Sequence, residues 1–549
     1  MKRALLLAIA TAVVVITAQA QHDDHRHEPS EKLGRVNFTV SCTPQAQKQF
    51  NRAVAWLHSF EYEEAEKAFL EVAATDPRCG MAYWGVAMSN YHPLWAAPTP
   101  AELKRGQDAI KKAKLIGART QRERDYIAAL GQFFTPIELT YLERSVAFSD
   151  EMKSLYEKNR TDSEAGVFYA LTLIATGMMS HDKTYRREKE AAQILNRVLA
   201  RQPQHPGVAH YLIHSYDYPA LAHLALPAAR SYAKIAPASA HAQHMPSHIF
   251  IRMGLWQEAI RSNLDAEASA KAFARRHKMA GAWDEQLHAM DYLAYAYLQG
   301  AQDKLAWGVL DEMNKVQSVE PQTFKVAYSF AAIPARYALE RRRWDEAAKL
   351  TLPANTVGMF PWQKFRWAEA HIHFARAIGF ARSGDAVSAR QEVDKLAAVR
   401  DALIIGRGEY DWAKQVEIER QIAAAWLAFA EGKHDEALKL MRAVADLDDE
   451  TDKHPVTPGA ILPAREQLGE LLLELKQPTA ALTEFETSLR SAPERFNGLY
   501  GAARAATLAS DQKKARTYYG KLLTVTRQAD TTRPEITEAK AFLAVVSKN

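Results

Sequence analysis

Matching residues recur 34 positions apart in the middle and at the end of this chain, and this period constrains the fold more than any other feature. The clearest instances are Pro203 and Pro237, Ala225 and Ala259, Ala481 and Ala515, and Phe485 and Tyr519. Apolar residues follow helical spacing through these segments, with almost no alternating strand pattern. A repeat of this length is typical of two-helix units that bury their apolar faces only against their neighbours. The period therefore predicts an all-α stack of helical hairpins.

The first hairpin lies in FNRAVAWLHSFEYEEAEKAFLEVAATDP, residues 50–77. Its aromatic residues, small residue and final proline occupy the positions that the tetratricopeptide repeat (TPR) favours, namely Trp56, Ala65, Phe69 and Pro77. The chain resembles that family. The resemblance implies a right-handed superhelical solenoid of about ten TPR-like hairpins, continuous over residues 45–549, with no sheet larger than two strands. It also implies a concave groove that binds a protein, a peptide or a small polar ligand.

The N-terminal segment differs from the rest of the chain. Residues 1–20 combine a basic start (MKR), an apolar run (ALLLAIATAVVVI) and a small-residue end (AQA), which is the pattern of a cleaved signal peptide. The apolar run is shorter than the roughly 20 residues that span a bilayer. We therefore expect a periplasmic or secreted protein that does not span the membrane after cleavage. Residues 21–44 are histidine-rich at their start and are predicted to form a disordered tail.

The chain has two cysteines, Cys42 and Cys79. An oxidising compartment would allow them to pair. The repeat pattern places Cys42 just before the first helix of a hairpin and Cys79 just after the second, and those two ends lie side by side. We predict a disulfide bond; the alternative is two unrelated thiols.

Charge gives little sign of a nucleic-acid partner. The formal net charge is +5 over 549 residues, and no long run of lysine or arginine occurs. Nucleic-acid-binding chains usually carry a concentrated basic patch. We therefore expect no nucleic-acid partner.

Histidine is concentrated in one part of the chain: seven of its 19 histidines lie between His205 and His248. His210 and His244 are 34 apart, and so are His214 and His248. Within each repeat the two histidines are four residues apart, which places them on one helix face. We predict that these four imidazoles converge on one concave pocket, with His241 and His288 at its edge, and hold a metal ion or a close pair of ions.

Further polar residues are predicted to extend this stripe as ligand-binding groups, namely Asp217, Asp291 and Tyr295. Pro246 lies inside the helix that carries His244 and His248, so this helix must kink or begin late. His371 and His373 differ by two positions and point to different faces, so we interpret them as ordinary residues.

All-imidazole sites suit several transition metals, and copper or zinc is the expected cofactor. The segments HYLIH and HMPSH resemble the zinc-peptidase motif, but Tyr211 and Met245 stand where that motif has its general-base glutamate. Three functions stay open at this point. The chain is an exported binding scaffold whose groove holds a metal or a polar ligand, a metal-dependent hydrolytic or oxidative enzyme, or a plain assembly scaffold with incidental histidines.

Overall fold

A computed structural model describes residues 32–94, 97–135, 138–180, 182–356, 358–403 and 410–546. The predicted signal peptide and residues 21–31 of the predicted tail lie outside the described residues. Among those that are described, no helix is long and apolar enough to cross a membrane.

The described chain is almost entirely helical. Its α-helices are α1 (Pro44–His58), α2 (Tyr62–Thr75), α3 (Gly80–Met88), α4 (Pro100–Ile116), α5 (Gln121–Phe134), α6 (Tyr141–Lys158), α7 (Ser163–Ser180), α8 (Arg186–Leu199), α9 (Pro206–Tyr216), α10 (Leu226–Ile235), α11 (Ala240–His244), α12 (Pro246–Arg252), α13 (Trp256–Arg276), α14 (Asp284–Gln299), α15 (Asp303–Asn314), α16 (Phe324–Leu339), α17 (Trp344–Ala347), α18 (Arg366–Arg382), α19 (Ala386–Asp401), α20 (Trp412–Ala430), α21 (His434–Glu450), α22 (Ala464–Glu474), α23 (Pro478–Ser491), α24 (Phe496–Leu508), α25 (Gln512–Val525) and α26 (Pro534–Val546). Short 3-10 helices cover Ala222–Ala225, Ala354–Thr356 and Trp362–Lys364. Two-residue strands β1 (Ala282–Trp283) and β2 (Val319–Glu320) pair in parallel.

Consecutive helices pack as antiparallel pairs that stack on their neighbours. With α11 and α12 counted as one broken helix, the described residues form twelve such pairs, and α26 packs against α25. The predicted all-α solenoid is confirmed, with slightly more hairpins than expected. Aromatic side chains of second helices fit against glycines of first helices: a Cβ on Gly85 would lie 2.2 Å from the Phe69 ring, and one on Gly501 would lie 2.2 Å from the Phe485 ring.

The solenoid also closes on itself, which the repeat pattern does not predict. Helix α9 packs against α1, more than 140 residues earlier in the chain. Trp256 Nε1 donates to the Glu494 carbonyl at 2.8 Å. Arg533 forms an ion pair with Asp303. The contact between α1 and α9 brings a distant repeat against the helix that carries His210 and His214, so this part of the predicted site is covered.

Residues 32–43 are part of the folded core, and the predicted disorder of this part of the tail is wrong. Their apolar side chains are buried, including Val36, Phe38 and Val40. Arg35 N donates to the Gln204 carbonyl at 2.8 Å. The alternation of apolar and polar residues in RVNFTV suits an extended segment with one buried face, and this signal outweighs the histidine-rich start of the tail.

The predicted disulfide is present. The sulfur atoms of Cys42 and Cys79 lie 2.00 Å apart and their Cα atoms 5.2 Å apart, within the range of a disulfide bond. The bond joins the residues that precede α1 and α3, as the hairpin geometry predicts. It fixes the first hairpin, which in turn packs against α9.

Replacing both cysteines with serine should lower the free energy of unfolding by roughly 3–4 kcal/mol, because the unfolded chain loses a constraint on its first hairpin. Denaturant unfolding of the two proteins measures this difference. Mass mapping of the unreduced parent chain is the control. Two freely alkylated thiols in protein from an oxidising compartment would contradict the assignment.

Candidate metal centre

The histidines form two clusters of three. The first contains His210 and His214 from α9 and His241 from α11. His210 Nε2 lies 3.0 Å from His214 Nε2 and 3.2 Å from His241 Nε2. All three side chains are buried. Three imidazole nitrogens therefore meet at one point in the interior.

The second cluster contains His244, His248 and His288, which α11, α12 and α14 provide. His244 Nε2 lies 3.1 Å from His248 Nε2, and the possible ligand atoms of the three residues lie within 4.8 Å of one another. The two clusters adjoin, since the ring centroids of His214 and His248 are 6.4 Å apart. The structure thus has two adjacent clusters in place of the predicted single pocket. His241 belongs to the first cluster and His288 to the second, whereas both were predicted at the edge of the pocket.

Pro246 divides this helix into α11 and α12 but does not move its histidines apart. Helix α11 ends at His244 and α12 begins at Pro246, while Met245 between them keeps right-handed helical angles (φ −54°, ψ −34°). The backbone therefore stays helical across the proline. His244 and His248 remain one turn apart on the same face, as their spacing predicts.

The other ring nitrogen of three of these histidines has an acceptor that fixes its proton. His210 Nδ1 lies 2.7 Å from the His58 carbonyl. His248 Nδ1 lies 3.1 Å from the Asp217 carboxylate. Both partners are acceptors only, so each Nδ1 carries the hydrogen. In the neutral rings, Nε2 consequently carries no hydrogen and presents a lone pair.

Asn263 fixes the ring of His244 in the same way. The Asn263 side-chain amide donates from Nδ2 to the Ala259 carbonyl at 2.8 Å, which turns its oxygen towards His244. His244 Nδ1 then donates to that oxygen at 2.7 Å. The Nε2 atoms of His244 and His248 therefore face each other at 3.1 Å as two lone pairs, with both ring protons committed elsewhere. Such a contact is repulsive unless a cation lies between the nitrogens.

Burial disfavours a proton in that position. It lowers the pKa of His210 to about 3 and the pKa values of His214, His241, His244 and His288 well below the usual 6.5, and the neighbouring histidines lower them further. The pKa of His248 is also lowered by burial, although Asp217 opposes the shift. These histidines are therefore neutral near pH 7, which is the form that binds metals.

Asp217 is a positioning residue rather than a ligand of the clusters. Besides His248, its carboxylate contacts Arg252 Nε at 2.9 Å and Lys453 Nζ at 3.3 Å. Burial alone would raise the pKa of Asp217, but Lys453, Arg252 and His248 outweigh burial and hold it well below its usual range. An ionised carboxylate behind an imidazole is a common arrangement around metal-binding histidines.

Tyr292 and the loop at residues 451–463 close the second cluster. The Tyr292 hydroxyl lies 3.2 Å from His248 Nε2 and donates to the Val456 carbonyl at 3.0 Å. Its ring stands edge-on to His244, with centroids 4.5 Å apart. The loop thus shields this cluster from solvent, although it belongs to a distant repeat.

Asp291 and Tyr295 do not reach the histidines. Asp291 is buried with its Oδ1 3.8 Å from Arg336 Nε. The Tyr295 hydroxyl accepts from Arg495 Nη1 at 2.7 Å. The predicted stripe is wrong here. His288 points to the clusters together with Tyr292, four residues later, whereas Tyr295 lies about 10 Å beyond His288 along the helix axis.

A third group, His58, Glu164 and His205, is a satisfied hydrogen-bond network. His58 Nε2 and His205 Nε2 lie 3.0 and 2.8 Å from the two Glu164 oxygens. Backbone Val208 N donates to His205 Nδ1 at 3.3 Å, so His205 Nε2 carries the proton that Glu164 accepts. This network supports α1, whose His58 carbonyl orients His210.

The first cluster opens onto a large cavity. His214 and Asp217 are part of the wall of a cavity of about 980 Å³. Its apolar wall includes Met178, Met179 and Phe324. A small molecule in this cavity would therefore approach His214, while the second cluster stays covered.

Neither the family models nor the curated protein sequences compared with this chain match it. It is similar to solved helical-repeat structures. A tetratricopeptide repeat protein from Parabacteroides merdae aligns at 12% identity and a TM-score of 0.29, over 55% of this chain and 98% of that chain. Human IFIT1 with m7Gppp-AAAA aligns at 12% identity and a TM-score of 0.37, over 87% and 95%. Yeast Tom70 aligns at 11% identity and a TM-score of 0.32, over 92% and 96%.

Sequence reasoning missed Asn263, Tyr292, Lys453 and the His58 carbonyl. Asn263 lies on α13, next to the histidine helices, and nothing in its spacing marks it as facing inwards. Tyr292 lies on α14 itself, four residues after His288, but the predicted stripe continued through Asp291 and Tyr295 instead. Lys453 and His58 come from repeats far along the chain. Only the closure of the solenoid brings them to the clusters.

The metal-free protein should lose stability as the pH falls below about 6.5, because unfolding lets the buried histidines take up protons that the folded chain excludes. A lowered folded-state pKa gives this sign: the stabilising effect is full above the unfolded pKa and declines below it. Urea unfolding at pH 7.5 and pH 5.5 tests it. Replacing the exposed His223 with alanine is the control and should leave the difference unchanged. Equal stability at the two pH values would contradict the buried, neutral assignment.

Proposed function

We propose that this TPR-like solenoid binds a pair of transition-metal ions, copper or zinc, one in each three-histidine cluster. The observation that carries the proposal is the contact between His244 Nε2 and His248 Nε2 at 3.1 Å. Their protons are held at Nδ1 by Asn263 and Asp217. A cation makes such a contact favourable, and burial disfavours a proton there because it lowers the pKa of both rings.

The donor set fits this class of metal. Three neutral imidazoles leave one position of a tetrahedral site open for water or a ligand. Imidazole ligands suit copper and zinc, and the general affinity order favours copper. Partners at Nδ1 fix ring orientation and raise the basicity of the ligating nitrogen. If the histidines were incidental, nothing would explain why three of them have an acceptor at Nδ1 that fixes the ring.

The cavity beside His214 supports a second candidate, a metal-dependent enzyme. His214 and Asp217 line that cavity, so a hydrolytic or oxidative reaction of a small molecule would take place at the first cluster.

Azide added to the copper-loaded protein should change its absorption spectrum if the first ion is reachable from the cavity. An unchanged spectrum would favour a storage or structural role for the metal.

We further propose that the protein works in an oxidising compartment, periplasmic or extracellular. The Cys42–Cys79 bond supports this, since such bonds persist mainly in oxidising surroundings. Binding of a protein, peptide or polar ligand on the concave side, and the absence of a nucleic-acid partner, stay predictions. N-terminal sequencing of the exported protein should begin at Gln21.

The metal proposal predicts two ions per chain when the protein is purified, stripped and reloaded with copper or with zinc. Replacing His244 and His248 together with alanine should leave one ion, and so should replacing His210 and His214. The four-residue variant should bind none. Elemental analysis of desalted protein gives the number of ions per chain. Added metal should raise the melting temperature, and this rise should become smaller with each ion that a variant loses.

The matched control replaces His373 and His223, which lie outside the clusters, with alanine and should keep two ions. No stoichiometric metal in the parent chain would overturn the proposal. Equal metal content in all the variants would overturn it as well, because the ions would then bind elsewhere, for example in the histidine-rich segment at residues 21–31.

A further inference from the structure

A second cavity, of about 510 Å³, lies further along the concave side. Its wall includes side chains from α14, α16, α18, α20 and α21, and it shares Tyr410, Trp412 and His454 with the cavity beside His214. None of the six clustered histidines lines it. It therefore adjoins the cavity beside His214 through a shared wall, while the side chains on its far side have their own chemistry.

Two buried polar atoms in this wall have no partner among the described residues. They are Glu419 Oε2 and His371 Nε2, on side chains that are only 3% and 2% exposed. His371 Nδ1 lies 2.7 Å from Glu419 Oε1 and carries the proton of that hydrogen bond. Burying polar atoms unpartnered is costly, and the carboxylate oxygen of Glu419 calls for a donor.

The charge of the wall also calls for a cation. Burial raises the pKa of Asp448 to about 6; the Asp449 and Glu419 carboxylates add to this shift, and the Ala464 amide and Arg465 oppose it. The nearby cations are already paired: Lys183 contacts Asp452 at 2.7 Å and Lys453 contacts Asp217 at 3.3 Å. Arg252 also pairs with Asp217, and Arg490 is exposed. Asp448 accepts from Ala464 N at 3.0 Å, whereas no lysine or arginine among the described residues pairs with Glu419.

Aromatic rings complete the cavity. Trp412 is held flat against Trp367, with ring centroids 3.5 Å apart and planes at 8°. The Tyr328 ring stands edge-on to His371, with centroids 5.0 Å apart, and Tyr410 lies beside Trp412. His454 stacks on the other face of Trp412, with ring centroids 4.9 Å apart, so a ligand meets the edge of Trp412 and the Tyr410 ring. Such a wall accepts the carbon chain of a ligand, and the carboxylates meet its charge.

We propose that this cavity binds a small organic molecule with a primary ammonium group. The ammonium donates a hydrogen bond to Glu419 Oε2, and the carbon chain lies against Tyr410 and the edge of Trp412. An ammonium has three donors and no acceptor, which matches an unpartnered carboxylate oxygen with a second carboxylate nearby. An alcohol of the same length lacks the charge, and a carboxylic acid would be repelled.

Titration calorimetry with 1,4-diaminobutane and butylamine, against 1-butanol, tests the proposal. The protein is the full chain stripped of metal and carrying His210→Ala and His214→Ala, because the first cluster is the one a cavity reaches, so that an amine cannot report a metal site. Both amines should bind saturably at one site per chain, and butanol should not. Glu419→Gln should weaken amine binding at least tenfold, because a charge-assisted hydrogen bond is lost.

The matched control is Glu417→Gln on the same helix, since Glu417 pairs with Arg400 and Arg420 outside the cavity; amine affinity should not change. Should Glu419→Gln unfold the chain, Trp412→Leu gives a second test and should also weaken binding. No amine binding, equal binding of butanol, or equal affinity in the Glu419 and Glu417 variants would overturn the proposal. None of these outcomes bears on the metal clusters.

Discussion

The candidate centre depends on one repulsive contact, the approach of two imidazole lone pairs at His244 and His248. Each ring is held in place from behind, by the Asn263 amide and by the Asp217 carboxylate. These partners fix both protons on the outer nitrogens and turn the inner nitrogens towards each other. A folded chain tolerates that arrangement when a cation binds between them. The same logic extends to His210, whose outer nitrogen donates to the His58 carbonyl.

The solenoid provides the rigidity that this arrangement needs. Helices α9, α11, α12 and α14 belong to three successive hairpins, and their regular stacking sets the distance between the histidines. Closure of the superhelix then adds α1 from one side and the loop at residues 451–463 from the other. A ligand set held by packed helices and by hydrogen bonds behind each ring keeps its geometry better than one on loops. The fold therefore does more than present a groove, since it also buries and orients the site.

The sequence predicted the parts of the site that follow from local periodicity. Four-residue spacing gave the pairs His210 and His214, and His244 and His248, and the 34-residue period brought the pairs together. The division into two clusters could not be predicted, because it depends on how far His241 and His288 lean towards one pair or the other. The prediction of Asp291 failed for a similar reason, since it lies within one turn of His288 and packing turns Tyr292 towards the clusters instead. Contacts made by closure, such as the Val456 carbonyl on Tyr292, have no local signal at all.

Anomalous diffraction from crystals grown with copper or zinc tests the central claim most directly. Maps collected on the two sides of the metal's absorption edge should show two peaks per chain. One peak should lie about 2.0–2.1 Å from the Nε2 atoms of His244, His248 and His288, and the other at similar distances from those of His210, His214 and His241. A map with no peak among these six histidines would contradict the account, whether or not metal peaks appear elsewhere on the chain.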